Sequence, residues 1–231
     1  IPILFCFLGE KSPNLKNDIS NIKKEENVNS NLKLSISNKK IQVLLMFAGV
    51  FCCIAMSMPQ VHIVPLCIDN GFGLAVGTEI LSFMLFAAVT SRVLFGFLSD
   101  KIGPIQTLIL GSTLQAISLS MFLPFNSQLS LYIVAICFGL SQGGIVPIYA
   151  VIISKFLPEN EVAERVGLLI FATIVGMSLG GWLSGEIYDY TNSYQMAFLN
   201  GIFWNLINLL IMFYLFLKYK QSIKSVDKYE Y

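Results

Sequence analysis

Charged residues are scarce in this chain: only 13% of its 231 residues are Asp, Glu, Lys or Arg, while 55% are hydrophobic. An ordinary soluble domain has about 25% charged and about 45–50% apolar residues. The charges here are therefore too few to cover a surface in water. The composition excludes an ordinary soluble domain and predicts an integral membrane protein, with the lipid bilayer as its first partner.

Residue patterns that carry catalysis or bind cofactors are also missing. The five cysteines lie in apolar runs without the C-x-x-C or Cys/His spacing of a metal or redox site, so we interpret them as small buried side chains. The sequence contains no Ser/His/Asp order, no paired catalytic carboxylates and no phosphate-binding loop. No basic patch with interleaved aromatic residues indicates nucleic acid. We therefore expect neither an enzyme nor an ATP-driven pump, and no metal, cofactor or nucleic-acid partner.

Long apolar runs are what the chain has in abundance. A helix that crosses a bilayer needs roughly 20 apolar residues. Polar residues 9–40, with almost no aromatics, predict a flexible linker, and the apolar residues 1–8 are interpreted as the end of a preceding transmembrane helix. The apolar runs predict six transmembrane helices, over residues 41–66, 78–99, 104–123, 128–156, 165–188 and 194–217, followed by a tail over residues 218–231.

The basic residues predict the orientation of these helices. Of the 15 lysines and arginines, seven lie in the linker and four in the tail, and the connections after predicted spans one, three and five have none. Connections rich in Lys and Arg stay on the cytoplasmic side. The linker, the connections after spans two and four and the C-terminus are therefore predicted to be cytoplasmic, in the cell (inner) membrane.

An internal repeat accompanies this pattern. A shift of about 88 residues lays spans one to three on spans four to six and superimposes Pro59 on Pro147. Two G-x-x-x-D turns, at residues 96–100 and 185–189, then match within one residue. Because three spans are an odd number, the two repeats would insert with opposite orientations, as halves of transporters commonly do.

Arg92 is the only basic residue inside predicted span two and lies in its second half. An arginine in mid-helix costs on the order of 2.5–3.5 kcal/mol on insertion scales, which favours a specific use. One interpretation is an anion contact in a central cavity, where the guanidinium fork suits a carboxylate. The other is an arginine that extends to the cytoplasmic interface on its long stem.

Span two ends in the sequence GFLSDKIG, residues 96–103. Asp100 could act as a conformational latch on a helix N-terminus of another half, gated by Lys101. Alternatively, Asp100 could be the N-cap of span three, with Gly96 and Gly103 providing the turn geometry.

Polar residues near helix-breaking prolines and glycines are further candidates for the substrate site. His62, between two prolines, could bind substrate or carry a proton, or could be a polar residue at the interface. Gln142, Tyr149 and Gln60 could line a cavity through hydrogen bonds, or could serve packing. Other polar and small residues have an expected role: Glu79 as a proton-exchange site or a helix-start acid, Asn200, Asn205 and Asn208 in bonds between helices, and Gly176, Gly180, Gly181 and Gly185 in close helix packing.

Residues 96–103 resemble the cytoplasmic loop motif of the major facilitator superfamily. Predicted span five resembles the bacterial branch related to monocarboxylate transporters and the oxalate/formate exchanger. This resemblance implies an all-α six-helix half, made of two inverted three-helix repeats, of a roughly twelve-helix carrier whose N-terminal six-helix half is its partner. It also implies secondary transport of a small organic anion of monocarboxylate type, by alternating access with proton symport or anion exchange.

Three positions depart from the pattern of these relatives. Pro104 replaces the basic residue that usually closes the loop motif. Ala88 stands where animal monocarboxylate carriers have an aspartate one turn before the arginine. Predicted span five, over residues 166–185, has no counterpart of the lysine of the oxalate exchanger. The last two departures concern the substrate and the coupling proton.

Two alternative functions fit the same composition. An efflux carrier for drugs or other small molecules, from the same superfamily, would be expected to hold an acidic residue inside the membrane, which this chain lacks away from the span ends. A non-transporting membrane receptor would not need the loop motif.

Overall fold

The computed structural model of the chain describes residues 37–124 and 127–227. Predictions for residues 1–8 and for most of the linker lie outside this part. In these two ranges the fold is entirely helical. The helices are α1 (Asn38–Asp69), α2 (Gly73–Ile102), α3 (Pro104–Met121), α4 (Gln128–Gln142), α5 (Ile145–Phe156), a 3₁₀ turn (Glu159–Glu161), α6 (Val162–Thr191) and α7 (Tyr194–Asp227).

Five helical stretches are long and apolar enough to cross a membrane, judged by length and composition. Helix α3, with 18 residues, is not among them, so a membrane crossing by predicted span three stays a prediction. The five stretches are Asn38–Asp69, Gly73–Ile102, Gln128–Phe156, Glu159–Thr191 and Tyr194–Ser222.

Several helices extend beyond the apolar runs that predicted them. Helix α1 begins at Asn38, inside the predicted linker, and α2 begins at Gly73, five residues before the predicted start at Thr78. Helix α7 continues past Leu217 to Asp227. Once a helix is nucleated, each further residue adds a backbone hydrogen bond. Polar flanks therefore stay helical where the apolar pattern has already ended.

Two ends of the bundle differ in chemistry. At one end, here called the basic end, lie the start of α1, the α2–α3 and α5–α6 connections and the last part of α7, with Lys101, Lys155 and Arg165. At the other end, here called the tyrosine end, the Tyr188 hydroxyl donates to Asp69 Oδ2 at 2.6 Å. There the Tyr132 hydroxyl also donates to Glu79 Oε2 at 2.7 Å.

The predicted span over residues 128–156 is broken in its middle. Helix α4 ends at Gln142 and α5 begins at Ile145. A Cβ atom on Gly143 would lie 2.1 Å from the Ala88 carbonyl oxygen, and one on Gly144 would lie 2.3 Å from the Phe95 side chain. Two adjacent glycines weaken a helix, and Pro147 follows in the first turn of α5, where its missing N–H is tolerated. The break therefore sits where α2 comes closest.

Glycines bring two pairs of helices into very close contact. On α6, a Cβ atom at Gly176 would lie 2.5 Å from the Val50 carbonyl oxygen of α1, and one at Gly180 would lie 2.4 Å from the Ile54 carbonyl oxygen. These distances confirm the predicted close helix approach at Gly176 and Gly180. Small residues allow backbones to approach in this way.

The second close pair joins α4 to α2. A Cβ atom at Gly139 would lie 2.2 Å from the Met84 carbonyl oxygen, one turn from the Gly143 contact with Ala88. The first helix of each three-helix unit thus packs on the second helix of the other unit, α1 on α6 and α4 on α2. This exchange is the pattern expected of paired three-helix repeats.

Two apolar clusters fill the space between the helices. Helix α1 contributes to both, so most of its length is buried. The cluster toward the basic end includes Leu45, Cys52, Phe95, Leu108, Ile152 and Met212, and the cluster toward the tyrosine end includes Met58, Ile80, Leu119, Leu131, Phe138 and Phe198.

Candidate functional site at the broken helix

Arg92 lies on the exposed side of α2, beside the stripe that packs against the bundle. Its neighbour Ser91 belongs to that stripe and is buried, whereas Arg92 is exposed. In the part of the chain that the structure describes, no residue forms a hydrogen bond or an ion pair with its guanidinium. The charge predicted from the sequence is therefore presented outward from this bundle and has no partner within it.

Ser91 fixes the level of Arg92 relative to the broken helix. The Ser91 hydroxyl donates to the Leu140 carbonyl oxygen at 2.6 Å and accepts from the Gly144 N–H at 3.2 Å. It thereby satisfies one backbone group on each side of the break. Arg92, the next residue of α2, consequently lies at the level where α4 ends and α5 begins.

Gln142, the last residue of α4, contacts α1 from the same break. The Gln60 side-chain Nε2 donates to Gln142 Oε1 at 3.1 Å. Gln142 is only 1% exposed, whereas Gln60 is half-buried. Among the described residues, Gln142 Nε2 has no hydrogen-bond partner. The structure thus brings Gln60, Ser91 and Gln142 to one place.

Tyr149 points elsewhere. It is fully buried, and its hydroxyl donates to Asn208 Oδ1 of α7 at 2.8 Å. Asn208 Nδ2 in turn donates to Ser112 Oγ of α3 at 3.0 Å, and Asn205 Nδ2 donates to the Ser112 carbonyl oxygen at 3.1 Å. The bonds of Asn205 and Asn208 are the predicted contacts between helices. The described conformation gives Tyr149 the packing role that the sequence also allowed.

His62 lies nearer the tyrosine end and away from the break. Its Nε2 atom is 3.1 Å from the Gly181 carbonyl oxygen of α6. Because a carbonyl oxygen only accepts, Nε2 carries the hydrogen in this contact. Glu79 is held by Tyr132 at the same end. Neither residue is brought to Arg92, so their use as proton carriers stays a prediction.

The loop motif corrects one interpretation of Asp100. Helix α2 continues through Asp100 and Lys101 to Ile102, and the N-cap of α3 is Gly103. The N-cap interpretation of Asp100 is therefore wrong. Gly103 has φ +91° and ψ 153°, which favours glycine, and Pro104 starts α3 in the first turn. Gly103 thus supplies the turn by itself, without a side-chain cap.

Asp100 instead lies in the last turn of α2, where it is exposed. Within the described ranges it has no hydrogen bond or ion pair. The C-terminal end of a helix is negative, so an aspartate there is unfavourable for the helix itself. Gly96, one turn earlier, is equally open, since a Cβ atom there would meet no atom within 4 Å. Arg92, Gly96 and Asp100 recur every four residues and share one face.

The described residues contain no cluster of metal-binding side chains near this face. Among the described residues, no three His, Cys, Asp or Glu side chains lie close enough together to hold a metal ion. The face of α2 offers one permanent cation, Arg92, and one exposed carboxylate, Asp100, while the amide donor of Gln142, unpartnered among the described residues, lies buried on α4. Such groups can bind and orient an anion, but they form no nucleophile–base pair.

The sequence profile of the Major Facilitator Superfamily matches residues 3–229. The chain belongs to the major facilitator superfamily. This major facilitator chain is therefore an all-helical integral membrane protein with the fold of a six-helix half, in which α4 and α5 together form one span. The loop motif at residues 96–103 predicted this membership, and the profile match confirms it.

Individual relatives cover only part of the same region. Monocarboxylate transporter 13 of Rattus norvegicus is 29% identical over 143 residues, which are 61% of this chain and 33% of the relative. The MFS-type transporter opdF of Penicillium oxalicum is 29% identical over 168 residues, 69% of this chain and 40% of the relative. An MFS-type transporter of Gibberella moniliformis is 27% identical over 146 residues, 61% of this chain and 35% of the relative. The major facilitator chain thus spans well under half the length of these relatives.

Ser91 is the residue of this site that the sequence did not reveal. A serine among apolar residues of a membrane helix usually bonds to its own backbone, and nothing in the spacing links it to residues 140–144. Adjacent residues of a helix lie only about 100° apart, so the exposure of Arg92 does not by itself place Ser91 toward the bundle.

Proposed function

We propose that this chain is the six-helix half of a secondary carrier that moves a small organic anion, of monocarboxylate type, by alternating access. The observation that carries the proposal is the exposed and unpartnered guanidinium of Arg92 at the level of the broken helix. Similarity to a protein named monocarboxylate transporter 13 supports the same substrate class.

The position of Arg92 on α2 favours an aqueous cavity over lipid. Phe86 and Phe97 are 73% and 64% exposed, as is typical of a lipid-facing surface. At 3.6 residues per turn, they lie roughly 120–140° around the helix from Arg92. Two exposed apolar side chains, Leu85 and Val89, lie nearer, roughly 20° and 60° around the helix from Arg92. A cation among such residues needs a counter-charge or water, and a carboxylate in a cavity between two halves would supply the counter-charge.

Coupling is either proton symport or anion exchange. The acidic side chains of the described residues lie toward the two ends of the bundle and not at the break. Anion exchange requires no proton carrier at the break, whereas symport would need His62, Glu79 or a residue of the other half. The acids toward the tyrosine end are Asp69, Glu79, Glu186 and Asp189, and those toward the basic end are Asp100, Glu159, Glu161 and Glu164.

The loop residues are assigned to gating. Asp100, with Gly96, Lys101 and Gly103 around it, would bind donors at a helix N-terminus of the other half when the cytoplasmic side is closed. Support comes from the place of Asp100: its charge is exposed, unpartnered among the described residues and unfavourable for its own helix.

Arg92→Lys tests the proposal. A lysine keeps the charge but loses the bidentate fork, so a role in anion binding predicts that uptake falls at least about tenfold, since a charged hydrogen bond contributes about 1.5–3 kcal/mol. The measurement is uptake of radiolabelled acetate and butanoate by cells that express the full-length carrier, normalised to its abundance in the membrane.

Arg165→Lys is the matched control. Arg165 bonds Glu161 at the basic end, away from the break, and this exchange should leave uptake within a factor of about two, because lysine keeps the positive charge of this part-buried pair. If Arg92→Lys retained near-normal uptake, Arg92 would be an interfacial anchor and would not bind the substrate.

A further inference from the structure

The side-chain amides of Gln60 and Gln142 form one hydrogen bond at the helix break and leave one donor of Gln142 unused among the described residues. Gln60 Nε2 donates to Gln142 Oε1, so the acceptor of Gln142 is occupied. Gln142 Nε2 is buried and, among the described residues, has no partner. A buried donor without an acceptor is rare in folded proteins and calls for an explanation such as a bound ligand or water. The group that Gln142 still offers is therefore a donor.

Two helix ends meet beside this donor. Helix α5 begins two residues after Gln142's neighbour Gly143, and its N-cap, Gly144, has no side-chain cap. The first N–H groups of a helix lack partners within the helix, and this end carries partial positive charge. Ser91 accepts from the Gly144 N–H. The negative end of α4 lies beside this positive end, so the two ends largely offset each other, and the Gln142 amide, unpartnered among the described residues, carries the preference for an acceptor.

Gln60 and Ser91 reach the break from two different helices. Gln142 itself is 1% exposed, but Gln60, which holds it, is half-buried and lies on α1. Ser91 reaches the break from α2, the helix that carries Arg92. If Arg92 binds the carboxylate of a small molecule, the rest of that molecule would therefore lie at the level of the break.

We infer that Gln142 Nε2 is a specificity-determining donor for an acceptor oxygen of the transported anion beyond its carboxylate, and that Gln60 is the positioning residue that turns this donor toward the solute. The inference rests on the proposed anion transport. It assigns the preferred solutes to a chemical class: small carboxylates that carry an ether, carbonyl or hydroxyl oxygen on the chain.

Two isosteric solutes test this assignment. Methoxyacetate and butanoate have the same charge and similar shape, but methoxyacetate has an ether oxygen, which can only accept, in place of one CH₂ group. The measured quantity is the ratio of their uptake rates at low concentration by the full-length carrier. Because each variant is compared with itself, this ratio does not depend on the amount of protein in the membrane.

Gln142→Met keeps the length of the side chain and removes the donor. We expect the ratio of methoxyacetate to butanoate uptake to fall about fivefold, the value of one neutral hydrogen bond. Gln60→Glu offers only acceptors, so the Gln142 amide must turn its Nε2 toward residue 60, and the ratio should fall to a similar degree. This second variant keeps Gln142 and so keeps the test usable if Gln142→Met does not fold.

Gln115→Met is the matched control. Gln115 is a fully buried glutamine of α3 that contacts Cys52, away from the break, and its replacement should leave the ratio unchanged. Arg92→Lys should lower the uptake of both solutes and also leave the ratio unchanged. An unchanged ratio in Gln142→Met and Gln60→Glu would overturn the inference while anion transport stands. If the unmodified carrier took up neither methoxyacetate nor butanoate, the proposed function and the inference would be overturned together.

Discussion

Asp100 is a residue whose position is costly for the helix that holds it. It lies in the last turn of α2, where the negative helix end repels a carboxylate. Asp100→Asn should therefore leave insertion and membrane abundance unchanged, or raise stability by up to about 1 kcal/mol. Turnover should slow, because the proposed latch loses its charge. The measurements are uptake kinetics and abundance of the full-length carrier in the membrane.

Asp189→Asn is the matched control for this prediction. Asp189 ends the second G-x-x-x-D turn, in α6, and is exposed near the tyrosine end. Its replacement should leave turnover unchanged. If Asp100→Asn left turnover intact, or if it abolished accumulation of the carrier, the gating role of Asp100 would be refuted.

At the scale of residues, the sequence predicts chemistry better than contacts. The cost of a charge in a membrane span singled out Arg92, and the structure presents it outward. The same reasoning could not decide whether Tyr149 faces a cavity or the core, because its bond to Asn208 joins residues 59 positions apart. Asp100 was ambiguous for a related reason. Whether Asp100 is the N-cap of α3 or a residue inside α2 depends on the backbone angles of a few residues, which the composition of the loop does not determine.

At the scale of elements, the close contact of α4 with α2 depends on space at one glycine. Gly143 has φ −60° and ψ −35°, which any residue can adopt, so it is needed for room and not for conformation. The atom that a Cβ would meet at 2.1 Å is the backbone oxygen of Ala88, which cannot rotate away. Gly143→Ala should therefore destabilise the protein by roughly 1–3 kcal/mol, the usual cost of overpacking.

Gly167→Ala provides the matched comparison. Gly167 lies inside α6, and a Cβ atom there would meet no atom within 4 Å. This alanine should be neutral or stabilising by up to about 1 kcal/mol, because alanine favours a helix over glycine. Thermal unfolding of the purified full-length carrier in detergent distinguishes the two. Equal midpoints for both variants would show that the α2–α4 contact is looser than the structure indicates.

Elements themselves were largely predictable, with a systematic error at their ends. Each of the six apolar runs largely coincides with helix, and the run over residues 128–156 is divided between α4 and α5 at Gly143 and Gly144. The predicted starts of α1 and α2 lie after the observed starts, and the predicted end of α7 lies before the observed end. Hydropathy indicates the boundary of the lipid, whereas helix growth depends on backbone hydrogen bonds. The exact position of the break depends on the approach of α2, a contact that periodicity cannot supply.

At the scale of the whole molecule, orientation in the membrane is the prediction with the broadest consequences. Cysteine placed at Tyr190, which is 85% exposed near the tyrosine end, should react with an impermeant maleimide added outside intact cells. Cysteine placed at Asn160, in the 3₁₀ turn at the basic end, should react only after permeabilisation. The background is the full-length carrier without its native cysteines.

The paired positions serve as controls for each other, since each should react fully once the membrane is opened. Labelling of position 160 from outside, with position 190 protected, would reverse the predicted topology.

The connection between α2 and α3 has a mechanical consequence. Gly103 alone separates the two helices, so the Cα atoms of Ile102 and Pro104 lie at most about 7 Å apart. Ser112 of α3 in turn bonds Asn205 and Asn208 of α7. We expect a displacement of the end of α2 to move α3 with it and, through these bonds, α7 as well.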